Sequence, residues 1–220
     1  MASLTEENYL KLIYHLSGAS REEVSTSALA EQTQTKAASV TDMLKKLAEK
    51  ALIHYKRYQG VRLTEEGERM ALKVIRRHRL WEVFMVEKLG FRWDEVHPIA
   101  EELEHVASDE LINRLDAFLN FPVSDPHGDP IPTASGNMPE ADYHKLCDTS
   151  VHEQVTVMGV SEHASAFLQF LAKAGLVPGS TVEVVEINAF DRSLQIRING
   201  LEPSFISHEV ARNILVSPES

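Results

Sequence analysis

The sequence predicts a mainly α-helical chain with a small share of β-structure. An N-terminal winged helix-turn-helix would be followed by a helical unit and a C-terminal SH3-like β-barrel. Three observations carry this. The first 50 residues hold three short amphipathic stretches, followed by a two-strand pattern. Residues 65–119 hold three more helical stretches, the first of them long. Residues 151–220 change to short β-rich runs separated by turn signals.

Taken in order, Thr5 to Leu16 reads as the first helix, with Thr5 as N-cap and Tyr9, Leu12, Ile13 and Leu16 as its apolar stripe. After the polar stretch Ser17–Ser25, a short helix spans Ser27 to Gln34 with Leu29 and Ala30 inward. Thr35 would cap a third helix, Ala37 to Lys50, which buries Val40, Leu44 and Leu47. Its other face carries Lys36, Ser39, Thr41, Lys45 and Lys46. Leu52 to Thr64 then holds two strand-like runs around Gln59-Gly60, a hairpin signal. This order is that of a winged helix-turn-helix, whose third helix enters the major groove while the hairpin touches the phosphate backbone. A small helical domain with a solvated basic face is the plainer alternative.

Thr64, followed by Glu65, Glu66 and Gly67, opens a long helix to about Leu89, with acidic residues where a helix N-terminus favours them. Its apolar positions include Met70, Val74, Leu80, Phe84 and Val86, and 76–79 read RRHR. Helices near Asp94–Val106 and Asp109–Leu119 follow, the latter capped by Ser108. These exceed what a winged domain needs and point to a packing or dimerisation unit. Residues 120–150 hold five of the nine prolines, the composition of an ordered loop or linker. Beyond it, Val155 and Val157 start a strand and Ser165 to Ala174 reads as a helix. Val182–Ile187 and Leu194–Ile198 are strands, Asn199-Gly200 is a tight turn, and Val210–Val216 closes the chain. The expected divisions are 1–64 for DNA binding, 65–120 for the helical unit, 121–150 for the linker and 151–220 for the barrel.

Composition narrows the function classes. Of 220 residues, 43 % are hydrophobic and 25 % charged, the balance of an ordinary globular protein. No apolar run approaches the roughly 20 residues of a membrane span, and MASLTEENYL lacks the pattern of a signal peptide. The single cysteine, Cys147, rules out an internal disulfide and fits a reducing cytoplasm. The net charge of −11 hides an asymmetry. Residues 1–80 carry 14 Lys+Arg against 10 Asp+Glu, and 81–220 carry 8 against 23. A basic part suited to phosphate is joined to an acidic part suited to cations.

The candidate chemistry centres on HPIAEELEH, residues 97–105. On a helix, His97, Glu101, Glu104 and His105 would share one face, offering oxygen and nitrogen ligands to a divalent metal. His78 and Glu82 form a second ligand-compatible i, i+4 pair, and SDPHGDP adds Asp125 and His127. Without thiolate, such a set suits Mn²⁺, Fe²⁺ or Zn²⁺. Glu102-x-x-His105 has the ExxH spacing of di-iron bundles, but the second copy that such an enzyme needs is missing. There is no HExxH, P-loop, GxGxxG or GxSxG, and Cys147 with His144 nearby matches no nucleophile signature.

These residues resemble the diphtheria-toxin-repressor family, the metal-dependent iron and manganese regulators of bacteria, over nearly the whole chain. TEENYLKLIYHL resembles the family's first helix, RRHRLWEVF and VHPIAEELEHVASDEL its dimerisation and metal-binding helices, and DPHGDPIP the loop after them. Residues 151–220 resemble its SH3-like domain, which ferrous-transport accessory proteins share. The resemblance implies a primary metal site of Asn8, Glu101, Glu104 and His105. Glutamate at 101, where the iron branch has cysteine, implies Mn²⁺ rather than Fe²⁺. The manganese branch usually has Asp where Asn8 stands, and Lys11 replaces a further Glu of its short, two-domain members. The resemblance also implies an ancillary site, either of His78, Glu82 and His97 with a ligand from the C-terminal domain, or of Glu82 with Asp125 and His127. Glu162 is the C-terminal candidate, and His163 and His208 read as surface histidines.

The expected function is a metal-activated, non-enzymatic repressor that binds palindromic double-stranded operator DNA as a homodimer and controls metal-uptake genes. It would work in the cytoplasm, with no membrane partner and no small organic substrate. Lys36, Ser39, Thr41 and Lys45 would lie near DNA, with Arg57 and Arg62 on the wing. The alternatives are an Fe²⁺-responsive repressor of the same family, a regulator sensing something other than metal and, more remotely, a metal-dependent helical-bundle enzyme.

Overall fold

The first helix, α1 (Leu4–Ser17), begins at a capping box rather than at the expected Thr5. Ser3 Oγ accepts from the Glu6 N–H at 3.3 Å, and the Glu6 carboxylate accepts from the Ser3 N–H at 2.8 Å. Tyr9, Leu10 and Ile13 are buried, while Leu16 is exposed. The structure, a computed structural model, describes residues 3–18, 20–56, 60–106, 108–140 and 142–218.

The chain divides into two compact units, each drawn from separated segments. The first comprises 1–78, 103–108 and 132–138, and the second 79–102, 109–131 and 139–220. The division between them runs through a long helix, α4 (Glu65–Leu89).

In the first unit, α2 (Thr26–Gln32) is capped by Ser25, and α3 (Ala37–Glu49) starts at Lys36 without a side-chain cap. Antiparallel strands β1 (Ile53–Lys56) and β2 (Gly60–Leu63) pair as the wing, and Val24 bridges to Val61 beside them. Leu10, Ile13, Leu29, Val40, Leu44, Leu47 and Val61 form one core beneath these elements. The expected apolar positions of α3 are thus the buried ones. Thr64 Oγ1 accepts from the Gly67 N–H at 3.1 Å, which fixes the start of α4.

In the second unit, α5 (Val96–Leu103) and α6 (Asp109–Phe118) follow α4. Leu80, Val83, Ile112, Leu115, Leu119 and Ile131 pack together. The helix expected over Asp94–Val106 is shorter at both ends, so Glu104 and His105 lie in the turn after α5. The stretch after α6 is ordered by an isolated bridge, Ser124 to Pro130, and leads to β3 (His144–Lys145) and a 3₁₀ turn, Leu146–Asp148. The chain closes with β4 (Gln154–Val160), α7 (Ser165–Ala174), β5 (Thr181–Ile187), β6 (Leu194–Ile198), β7 (Ser204–Ile206), α8 (His208–Ala211) and β8 (Ile214–Pro218). The strands form one antiparallel sheet in the order β3-β8-β4-β5-β6-β7. Register shifts at Val157/Gly159 and Val184/Glu186 curl it around its apolar core, giving the SH3-like form.

Candidate metal centres and nucleic-acid interface

The first unit holds a cluster built on α1, the first part of α4 and the 103–108 segment. Glu104 is completely buried, and both of its oxygens are engaged. Oε1 accepts from Lys11 Nζ at 2.6 Å, and Oε2 lies 2.6 Å from His78 Nδ1. Burial works against its charge, but the hydrogen bond from His78 and the ammonium of Lys11 hold its carboxyl below the usual range. Beside it, Glu7 accepts from Arg77 Nη2 at 3.0 Å through one oxygen and lies 2.8 Å from His105 Nδ1 through the other.

This differs from the expected primary set. Asn8 is exposed on α1, and the residues of α1 that reach the cluster are Glu7 and Lys11, one helical turn apart. His78, which the ancillary expectation also uses, lies 2.6 Å from Glu104 as well. Glu101 is exposed on α5, where its carboxylate lies 3.7 Å from His97 Nε2. Sequence reasoning missed Glu7. The signal was its i, i+4 spacing to Lys11, which puts the two side chains on one face of α1.

The second unit holds another cluster, built on α4, α5 and the 124–130 loop. Glu82, Asp125 and His127 are all buried, and each offers a ligand atom within 4.8 Å of the others'. Glu82 Oε1 lies 3.3 Å from His97 Nδ1, and Glu82 Oε2 lies 3.6 Å from His127 Nδ1. Burial and the nearby carboxylates of Asp129 and Glu82 push the Asp125 carboxyl up to about 7. The His127 pKa is raised as well: burial opposes its charge, but Glu82 and Asp125 lift it above the usual imidazole value.

The surrounding backbone locks this loop. Asp125 Oδ1 accepts from the N–H groups of His127 and Asp129 at 2.8 and 3.0 Å. His127 Nε2 lies 2.8 Å from the Trp93 carbonyl, which points Nδ1 at the carboxylates. Gly128 has φ +90°, and a Cβ there would stand 2.1 Å from the Met158 carbonyl oxygen. A Cβ on Gly159 would stand 2.5 Å from the His127 carbonyl oxygen. Backbone therefore lies directly on backbone, and β4 is held against the loop. Asp94 strengthens the same junction, accepting from Gln169 Nε2 at 2.7 Å and Ser165 Oγ at 3.2 Å.

His127 Nδ1 is buried without a hydrogen-bond partner, beside two buried carboxylates. A divalent cation would satisfy that nitrogen and offset the carboxylate charge, so these residues fit one. Glu162, the expected C-terminal ligand, is exposed, and its carboxylate accepts from the Ala164 N–H at 2.8 Å. Its neighbour His163 is not the surface histidine expected. Its ring stacks on that of His127 at 4.8 Å between centroids, and burial lowers its pKa.

The candidate DNA-contacting face lies on α3 and the wing. Lys36, Ser39 and Lys45 are exposed, and Lys45 Nζ is 3.1 Å from Asp42. Thr41 Oγ1 donates to the Ala37 carbonyl at 2.8 Å. Arg62 is exposed on β2, with Nε 3.7 Å from Glu23. Arg57 lies outside the described residues.

Three family models match in sequence. They are the iron-dependent repressor N-terminal DNA-binding domain over residues 1–61, the iron-dependent repressor metal-binding and dimerisation domain over 64–133, and the FeoA domain over 144–218. The iron-dependent repressor IdeR of Mycobacterium tuberculosis is 30 % identical over 227 residues, which cover 96 % of each chain. The chain belongs to the diphtheria-toxin-repressor family. Among solved members, a manganese-dependent transcriptional repressor in complex with manganese is 36 % identical, with a TM-score of 0.84 over 97 % of this chain and all of that one. ScaR with bound Cd²⁺ is 29 % identical, with a TM-score of 0.78 over 97 % and 99 %. The family's three-part order accounts for the winged helix-turn-helix, the helical unit and the small barrel.

Proposed function

We propose that this protein is a metal-activated transcriptional repressor that binds operator DNA as a homodimer, with Mn²⁺ as its activating ion. The observation that carries the metal reading is the buried Glu82–Asp125–His127 group, with its unpartnered imidazole nitrogen. Its donors are oxygen and nitrogen, and the lone thiol, Cys147, belongs to the core of the barrel. Such a donor set suits both Mn²⁺ and Fe²⁺. The likeness to IdeR supports the Fe²⁺ alternative, and the 36 % identity to the manganese-dependent repressor supports Mn²⁺.

Two ligand sets would serve. Glu82, Asp125 and His127, with His97 beside them, would hold one ion. Glu104, His105 and His78 would hold another, with Glu7 in the place expected of Asn8. A bound ion supplies positive charge that draws carboxylates from separate chain segments together. In the first unit those segments are α1, α4 and residues 103–108, so the ion's charge would fix α1 and with it the helix-turn-helix. Two copies of α3, about 34 Å apart in a dimer, would then enter successive major grooves. DNA and metal affinities are reciprocally linked through that geometry. Exposed Leu111, Phe118, Phe121 and Val123 on and after α6 supply apolar surface for pairing, in the region matched by the dimerisation domain. A repressor of uptake genes acts where the chromosome is, in the cytoplasm, and needs neither a membrane partner nor an organic substrate.

The test is selection of double-stranded DNA from a randomised pool by the full chain, with Mn²⁺, with Fe²⁺ without oxygen, with Zn²⁺, and with chelator. A palindromic motif enriched with Mn²⁺ and absent with chelator is expected. Equal enrichment under chelator would overturn the metal reading.

A further inference from the structure

The two clusters differ in charge. In the second, Arg79 Nε is 3.6 Å from Asp125 and its Nη2 is 3.3 Å from Asp129, while Glu82 lies beside the imidazoles of His97 and His127. In the first unit, the carboxylates of Glu7 and Glu104 are matched by two permanent cations, Arg77 and Lys11. The first cluster already holds its own counter-charge, and the ammonium lies 2.6 Å from an oxygen that the ion would need.

We propose that Lys11 is a resident counter-ion which a divalent metal must displace from Glu104, so that the first cluster fills by competition with the chain's own ammonium. This rests on the reading that Glu104 is a metal ligand. Two like charges cannot share one carboxylate oxygen in a buried setting, where their repulsion is screened least. Lys11 has somewhere to go. Its side chain is 17 % exposed while that of Glu104 is 1 % exposed, and its four-carbon stem can carry the ammonium into water. In the metal-free state, Lys11 supplies the pairing that a buried carboxylate requires. The lysine therefore sets the metal concentration at which α1 is captured, and it makes the response selective for ions that bind Glu104 strongly enough to expel it.

The experiment uses the full chain and Mn²⁺ alone. Free Mn²⁺ is followed by its electron paramagnetic resonance signal during titration of wild type, Lys11→Met, Lys11→Arg and Glu104→Gln. Wild type should show a tighter and a weaker class of site. Lys11→Met should tighten the weaker class at least tenfold and lower the thermal midpoint of the metal-free protein. Lys11→Arg, which keeps the cation, should not tighten it. Glu104→Gln should remove the weaker class. If it removes none, the ligand reading fails and the proposal with it. If it removes that class but Lys11→Met binds no more tightly, the counter-ion proposal alone is overturned. Acylation of Lys11 in wild type, read by mass spectrometry, needs no variant. Its rate should rise with Mn²⁺ as the second equivalent binds, and an unchanged or falling rate would overturn the proposal.

Discussion

The backbone N–H of Val160 donates to the carbonyl of His127 at 2.9 Å. One hydrogen bond thus joins the last residue of β4 to a candidate metal ligand in the 124–130 loop, beside the glycine pair at 128 and 159. The barrel and the second cluster are parts of one packed structure, so a change in one should be felt in the other.

Gly159→Ala tests that coupling. The added methyl would meet the His127 carbonyl oxygen at 2.5 Å, where only backbone can move aside. Overpacking of this kind costs about 1–3 kcal/mol. The thermal midpoint should fall, and the tighter Mn²⁺ class should weaken at least tenfold. A variant with wild-type midpoint and affinity would show that the close approach does not hold the loop.

Glu82→Gln should abolish the tighter Mn²⁺ class, because this carboxylate lies beside both His97 and His127. Glu162→Ala should leave that class intact, since the Glu162 side chain is exposed and accepts from Ala164. Equilibrium dialysis with metal analysis reads both. Retention of both metal equivalents by Glu82→Gln would remove the second cluster as a site.

Acid should loosen the first unit through Glu6. Its side-chain hydrogen bonds from Lys50, at 2.8 Å to each oxygen, hold its pKa below the usual value, outweighing burial. A carboxyl depressed on folding adds stability above its unfolded pKa of 4.5, and that contribution is lost as pH falls through the lowered folded value. Wild type should therefore be more stable than Glu6→Gln at pH 7, with the gap closing below pH 4.5. A gap that stays constant down to pH 2.5 in thermal melts of the metal-free protein would contradict this.

Replacing both Lys36 and Lys45 with Ala should make DNA binding weaker and less salt-dependent. Each phosphate contact contributes about 0.9 to the log–log slope, so the pair should reduce its steepness by about two. Fluorescence anisotropy with the selected DNA from 50 to 300 mM salt measures this. An unchanged slope would move the interface off this face of α3.

The helix-turn-helix was legible because burial and helical period coincide: Val40, Leu44 and Leu47 of α3 are all fully buried. The barrel was legible from its β-rich runs and turn residues. The site was harder, because its members come from segments far apart in the chain. Reading HPIAEELEH as one continuous helix put Glu101, Glu104 and His105 on a shared face. The helix ends at Leu103, however, and the turn beyond it sends Glu104 inward while Glu101 stays at the surface. On α1 the residue that faces the cluster is Glu7 and not Asn8, because polar residues next to one another on a helix leave its rotation unmarked in the sequence. His163 looked like a surface histidine because no periodic pattern marks the segment between β4 and α7. Only the fold places its ring against His127.

The ion pair of Lys11 with Glu104 gives the metal-free protein a finished structure of its own. A sensor whose empty site repels itself would frazzle whenever its ion became scarce, and each starvation episode would expose it to proteases. On the proposed exchange, scarcity would return a lysine to its seat. The off state would then be a paired resting form, ready for reuse by the same molecule when supply recovers.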